Sequence, residues 1–269
     1  MPFQVVRASR VGREINEAEK EHSSKAGCLF GISRGNRYFS REVLEALITT
    51  GLEQRKRVVL MLPDVPAVST LMALGYCLTD AERRSRLDFN SMQHRIGRVL
   101  EALTPSQRQL VRVLRWKDLE DLPRYEQAHA DLNRLYHSDY RFCQDVRDMT
   151  KQILQSALER GELRDMEGRP LEASRQPIEN VLEHDTLERR IDTGVAFSLN
   201  ELALIADAAG ILDLEKCAYV YHTSMKVVEN LLDGAHYPWQ PHVGNGYLIY
   251  VPFANVNAPN LALAMIARQ

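Results

Sequence analysis

No two cysteines in this sequence stand close enough to form a CxxC clip: Cys28, Cys77, Cys143 and Cys217 are scattered along the chain. Three of the four lie in apolar stretches and read as small buried hydrophobes, not as a disulfide frame or a zinc site. No apolar run reaches the ~20 residues needed to cross a bilayer, so no membrane segment is expected. Residues 1–25 lack the apolar core of a secretory signal. We therefore expect a polar N-terminal tail (1–25), a single domain (26–269) and a cytoplasmic protein. GxGxxG and Walker phosphate loops are both missing. The histidines show no ligand spacing, so no metal and no cofactor are expected.

What is present is an ordinary globular composition: 269 residues, 45% apolar and 26% charged. A chain of this length buries about three quarters of its unfolded surface. The net charge of −2 hides an asymmetry. Residues 1–118 carry 20 Lys and Arg against 13 Asp and Glu, whereas the remainder carries 14 against 23. A basic half suits a polyanionic partner, and equally a solvated charged face.

The apolar patterning is that of alternating strands and helices. GCLFGIS (27–33) reads as a buried strand followed by a turn, and REVLEALITTGLEQ (41–54) as a helix capped by Ser40. RVVLMLPD (57–64), LVRVLRW (110–116), KCAYVYH (216–222) and GYLIYVPF (246–253) supply four more strands. Helices are expected over 66–77, 81–103, much of 121–163, 192–209 and 225–232, with a surface excursion over 164–190. Apolar strand runs without alternation indicate a parallel sheet covered on both faces, so the fold class is a doubly wound, Rossmann-like α/β domain. Ligands of such folds lie at the carboxyl ends of the strands, here Ser33, Asp64 and Tyr221–His222.

Four features carry candidate chemistry. In Gly31-Ile32-Ser33-Arg34-Gly35-Asn36 a serine at a strand end is flanked by glycines, where a nucleophile can meet free backbone N–H donors. A turn serine bonded to its own backbone fits the same pattern. Glu201 falls inside the apolar helix FSLNELALIADAAGIL, where a carboxylate needs a partner or a task. Tyr221 and His222 end a strand. On the helix over 81–103, Arg83, Arg84, Arg95, Arg98 and His94 share one face opposite an apolar one, spaced to touch several phosphates or to face water.

Taken together and in order, FGISRGNRYFS, LPDVPAVSTLMALGY, the basic helix, NELALIADAAGIL, AYVYH and GYLIYVPF resemble the tRNA-dependent cyclodipeptide synthases, over about residues 27–253. That resemblance implies a fold similar to the catalytic domain of class I tyrosyl- and tryptophanyl-tRNA synthetases, without their ATP signatures. It implies two aminoacyl-tRNAs as substrates and a 2,5-diketopiperazine as product, formed through aminoacyl-Ser33 and then dipeptidyl-Ser33. Ser33 matches the family's nucleophile, Glu201 the residue that holds the substrate ammonium, and Tyr221 the tyrosine that shapes the site. Asn36, Tyr221 and His222 fit the Asn-Tyr-His branch, and Leu29, Gly31, Leu204 and Tyr219 match the lining of the first amino-acid pocket. Arg83, Arg84, Arg95 and Arg98 lie in the region that meets tRNA.

The chain departs from the pattern at Phe197, one turn before Glu201, where the family usually has a tyrosine whose hydroxyl helps bind the amine. Two other readings stay open on the residues alone. One is a serine hydrolase or acyltransferase using Ser33 and His222. The other is a non-catalytic tRNA-binding relative disabled at Phe197.

Overall fold

The computed structural model describes residues 5–7, 26–32, 39–55, 57–221, 225–240 and 245–250. Its first half runs β1 (Val5–Arg7), β2 (Ala26–Gly31), α1 (Arg41–Arg55), β3 (Arg57–Leu62), α2 (Pro66–Ala73), α3 (Leu78–Glu101), α4 (Pro105–Gln109) and β4 (Val111–Arg115). The second half runs α5 (Lys117–Glu120), α6 (Pro123–Ser138), α7 (Tyr140–Glu159), α8 (His184–Ala206), α9 (Ala208–Ile211), β5 (Lys216–Tyr221), α10 (Lys226–Asp233) and β6 (Asn245–Tyr250).

The strands form one sheet in the order β1-β6-β5-β2-β3-β4. All neighbours are parallel except β1, which runs antiparallel to β6. Leu29 is flanked by Val59 on one side and Tyr219 on the other, which fixes the register at the sheet centre. Alternate strand residues serve two separate cores. Cys28, Phe30, Ile32, Val58, Leu60 and Val220 pack under α1 and α3. Leu29, Val59, Met61, Cys217 and Tyr219 pack under the layer built from α2 and α6 to α10. Both faces being covered, β2, β3 and β5 read as unbroken apolar runs. This is the doubly wound α/β fold expected from the pattern.

Local chemistry sets several element ends. Pro66, Pro105 and Pro123 each occupy a first helical turn, where a missing N–H costs nothing. Thr104 and Gln107 close a reciprocal capping box on α4. The Asp139 carboxylate accepts from the Phe142 amide at 2.8 Å and starts α7.

The structure corrects the sequence expectation at four places. The stretch expected to be a polar tail contributes β1, whose three residues are too few to leave a periodic signal. Within the expected excursion, Arg164 and Pro170 form an isolated bridge, and α8 begins at His184, well before residue 192. Its opening turns bury Leu187, Arg190 and Ile191 among charged neighbours that are largely exposed, too thin an apolar stripe to stand out. The helix end expected near Gly210 divides at Asp207, so that α9 is separate. Cys77 is exposed at the N-cap of α3, where its thiol donates to Asp80; Cys28 and Cys217 are buried as expected.

Arg190 is buried, and among the described residues no carboxylate forms an ion pair with it. Its guanidinium donates to the carbonyls of Ala73 and Arg164 at 3.2 and 2.6 Å, tying the 161–173 segment to the end of α2. Among the described residues, no helix is long and apolar enough to cross a membrane.

Candidate active site

β2 and β5 are adjacent, but the chain leaves β2 for one flank of the sheet and reaches β5 from the other. Their carboxyl ends therefore border the topological switch point, where an open α/β sheet offers its crevice. β2 ends at Gly31 and β5 at Tyr221. The Ile32 amide still donates to the Met61 carbonyl at 3.1 Å, so the backbone is held up to the residue before Ser33. Ser33, Asn36 and His222 lie outside the described residues, and for Tyr221 only the backbone is described.

The far side of the 33–38 segment is anchored at Phe39, which is buried against α1 and α3. Its carbonyl accepts from the Arg95 guanidinium at 2.6 Å. Arg95, expected to meet phosphate, thus fastens Phe39 to α3. The other basic residues of α3 stand out from the surface. Arg83 pairs with Asp80 at 3.0 Å, Arg84 pairs with Asp88 at 3.3 Å, and Arg98 is exposed. Exposed pairs of this kind contribute about 0–1 kcal/mol, so they exchange readily for another anion.

Glu201 comes to the crevice from α8. At this level the helix is buried all round, through Leu202, Ala203, Leu204 and Ile205, and the carboxylate lies against β5. There the Tyr219 hydroxyl donates to Glu201 Oε1 at 2.7 Å. Among the described residues no cation pairs with this carboxylate. Burial pushes the Glu201 pKa above the ordinary carboxylate value, and the Tyr219 hydrogen bond pulls it part of the way back. Phe197, one turn earlier and half-buried, shares this face.

Gly31 is what makes room for the tyrosine. A Cβ on Gly31 would stand 2.6 Å from the Tyr219 hydroxyl oxygen and 3.3 Å from two ring carbons. Tyr219 is 1% exposed, Leu29 0% and Leu204 2%, so these three form a closed, close-packed floor beneath Glu201. Of the four residues expected to line one pocket, Tyr219 touches the Glu201 carboxylate, while Leu29 and Gly31 lie beside Tyr219.

Two supporting arrangements were not legible in the sequence. Tyr125 on α6 donates to Asn200 Oδ1 at 2.7 Å and holds α8 beside Glu201. Its ring lies against Trp116, whose amide donates to Asp64 at the end of β3 at 3.0 Å. Asp145 on α7 accepts from Tyr237 at 2.5 Å, Asn230 at 2.9 Å and Lys226 at 3.1 Å. That cluster pins α10, which begins just after the 222–224 segment. An acidic residue followed later by a Lys-x-x-x-Asn pair was the sequence trace, but nothing in it specified the partner.

The crevice thus holds, beside the end of the central strand, a desolvated carboxylate with which no cation pairs among the described residues. The sequence model of the cyclodipeptide synthase family matches residues 14–252, and the chain belongs to that family of enzymes. It is 24% identical over 194 residues to the cyclo(L-leucyl-L-phenylalanyl) synthase of Streptomyces noursei, a match covering 72% of each chain. In fold it is similar to a cyclodipeptide synthase from Bacillus thermoamylovorans, with a TM-score of 0.72 and 24% identity over 93% of this chain and 96% of that one. A Mycobacterium tuberculosis protein also shares the fold, with a TM-score of 0.66 and 22% identity over 86% and 87% of the two chains. Its structure is described as demonstrating that cyclodipeptide synthetases are related to type I tRNA synthetases.

Proposed function

We propose that this enzyme condenses the aminoacyl groups of two aminoacyl-tRNAs into a 2,5-diketopiperazine by a ping-pong course on Ser33. The observation that carries the reading is the Glu201 carboxylate, desolvated and without a counter-ion among the described residues, beside the carboxyl end of β2. The α-ammonium of an aminoacyl ester is the charge it lacks, and a paired charge is what a buried carboxylate requires.

In the first half-reaction the Ser33 hydroxyl adds to the aminoacyl ester carbonyl. The terminal ribose hydroxyl of the tRNA leaves, taking up the serine proton, and aminoacyl-Ser33 remains. Its α-amine, freed of a proton beside Glu201, then attacks the ester of the second aminoacyl-tRNA. This forms the peptide bond, releases the second tRNA and leaves dipeptidyl-Ser33. Attack of the terminal amine on the serine ester closes the ring and returns the hydroxyl to Ser33. The substrate esters are already activated, so the course draws on no ATP. Tyr221, with Asn36 and His222 of the Asn-Tyr-His pattern, shapes the site around these esters. Leu29, Gly31, Leu204, Tyr219 and Phe197 surround the first aminoacyl side chain.

Arg83, Arg84, Arg95 and Arg98 on α3 would take tRNA phosphates. Use of charged tRNA would place the enzyme in the cytoplasm, and residues 26–269 would act as one catalytic domain.

The test is mass spectrometry of medium from bacteria expressing the wild-type chain or Ser33→Ala. A diketopiperazine mass made only by wild type is expected. The same product from Ser33→Ala would refute the covalent course, and tRNA binding without product from either would identify a non-catalytic relative.

A further inference from the structure

Resting on that reading, we infer that Tyr219 is the positioning residue of the ammonium site: its hydroxyl holds one oxygen of Glu201 and so presents the other to the substrate amine. A carboxylate with free rotation about its last bond, in a dry crevice, would turn or take up a proton. A donor fixed at 2.7 Å on Oε1 prevents both. The donor itself is fixed. Tyr219 sits in the middle of the sheet, paired across to Leu29, with its ring buried and its hydroxyl in the space Gly31 leaves vacant. A phenolic hydroxyl at the end of a rigid strand side chain is a better aligned donor than one on a mobile loop. Phe197, one helical turn before Glu201, brings a ring to the same face and no donor.

The elements around α8 offer no rival for this task among the described residues. α2 carries no titratable group. On α6, Tyr125 is committed to Asn200, and His129 stacks on Tyr125 with its pKa lowered by burial. On α7, Arg147 is taken up by Glu188 and Asp192 of α8 itself, and Lys151 by Glu179. On α10, Lys226 pairs with Asp145 and Asp233 with His236, while Glu229 has partners of its own. On β2 and β5 the cysteines Cys28 and Cys217 are buried, and Lys216 has a partner of its own.

The experiment compares wild type, Tyr219→Phe and the double variant Tyr219→Phe/Phe197→Tyr. Cyclodipeptide formation from purified aminoacyl-tRNAs is followed across pH, and the Glu201 carboxyl is titrated by carbon-13 NMR. Tyr219→Phe keeps the ring and its packing, so the fold is retained. We expect its rate at neutral pH to fall about ten- to a hundred-fold, the range for losing a hydrogen bond to a charged group. The acid limb of the profile and the NMR midpoint should both move to higher pH. Phe197→Tyr, spaced to reach Glu201 along the helix, should bring both part of the way back. An unchanged NMR midpoint in Tyr219→Phe would overturn the inference. The NMR arm does not require turnover, so a wild-type chain that makes no product would refute the proposed reaction and leave the Tyr219 result to stand or fall separately.

Discussion

Replacing Gly31 by alanine should damage this protein through one identifiable contact. A methyl group there meets the Tyr219 hydroxyl oxygen at 2.6 Å and two of its ring carbons at 3.3 Å. The ring cannot swing aside, because Tyr219 is fully buried among Leu29, Leu204 and their neighbours. Overpacking of this kind costs about 1–3 kcal/mol. Alanine in a strand recovers about 0.5–1 kcal/mol of glycine's backbone entropy, so the steric cost wins by about 1–2 kcal/mol. At roughly 2–4 °C per kcal/mol for a domain of this size, thermal unfolding should shift down by about 2–8 °C. The assay is a thermal melt of four proteins: wild type, Gly31→Ala, Tyr219→Leu and the double variant. Leucine lacks the ring and hydroxyl that the methyl meets, so the double variant should be more stable than the sum of the singles. The expected coupling lies between about 0.5 and 3 kcal/mol. A Gly31→Ala melt equal to wild type, with additive effects in the double variant, would refute the reasoning.

Three further outcomes follow from the same geometry. Because burial raises the Glu201 pKa, the folded state binds the extra proton between the ordinary and the raised value, so stability is lost as pH rises through that window. Glu201→Gln should therefore melt higher than wild type at pH 8, by a margin that narrows on acidification, while cyclodipeptide formation is lost; an equal or lower melt at pH 8 would count against the desolvated carboxylate. Arg84→Ala and Arg98→Ala should each weaken tRNA binding and flatten the plot of log affinity against log salt by about one counter-ion; filter binding at several salt concentrations reads both, and unchanged slopes would remove α3 from the interface. Tyr125→Phe should lower stability by about 0.5–1.5 kcal/mol in urea denaturation by removing its bond to Asn200, and a larger loss would show that more than this bond holds α6 to α8.

The parallel strands were readable because burial on both faces leaves its mark on every residue of a strand. β2, β3 and β5 are apolar at odd and even positions alike. β1 escaped because pairing with β6, not periodicity, makes it a strand. The start of α8 escaped for another reason: its first turns bury Leu187, Arg190 and Ile191 between exposed charged residues, a pattern too sparse to separate a helix from a loop. For the site, Glu201 stood out as a carboxylate among leucines. Its bond to Tyr219 did not, since the partner is set by the register of β5 on β2, a long-range fact absent from any local window. The resemblance placed Gly31, Leu204 and Tyr219 around one pocket, and the geometry adds that the glycine exists to admit the tyrosine. Asp145 was missed altogether, because its three partners come from a helix and a turn brought to it only by the fold.

The sheet order also has a consequence in time. The crevice lies between β2, near the beginning of the chain, and β5, made only after the whole of α1 to α9 has been synthesised. At roughly 5–20 residues per second, about 10–40 s separate emergence of Leu29 from the ribosome and emergence of its neighbour Tyr219. Through that interval the β2 edge destined for β5 is unpaired and Gly31 faces no tyrosine. The pair of Glu201 and Tyr219 is thus among the last parts of the molecule to form, and a truncated chain would hold β2, β3 and β4 without it.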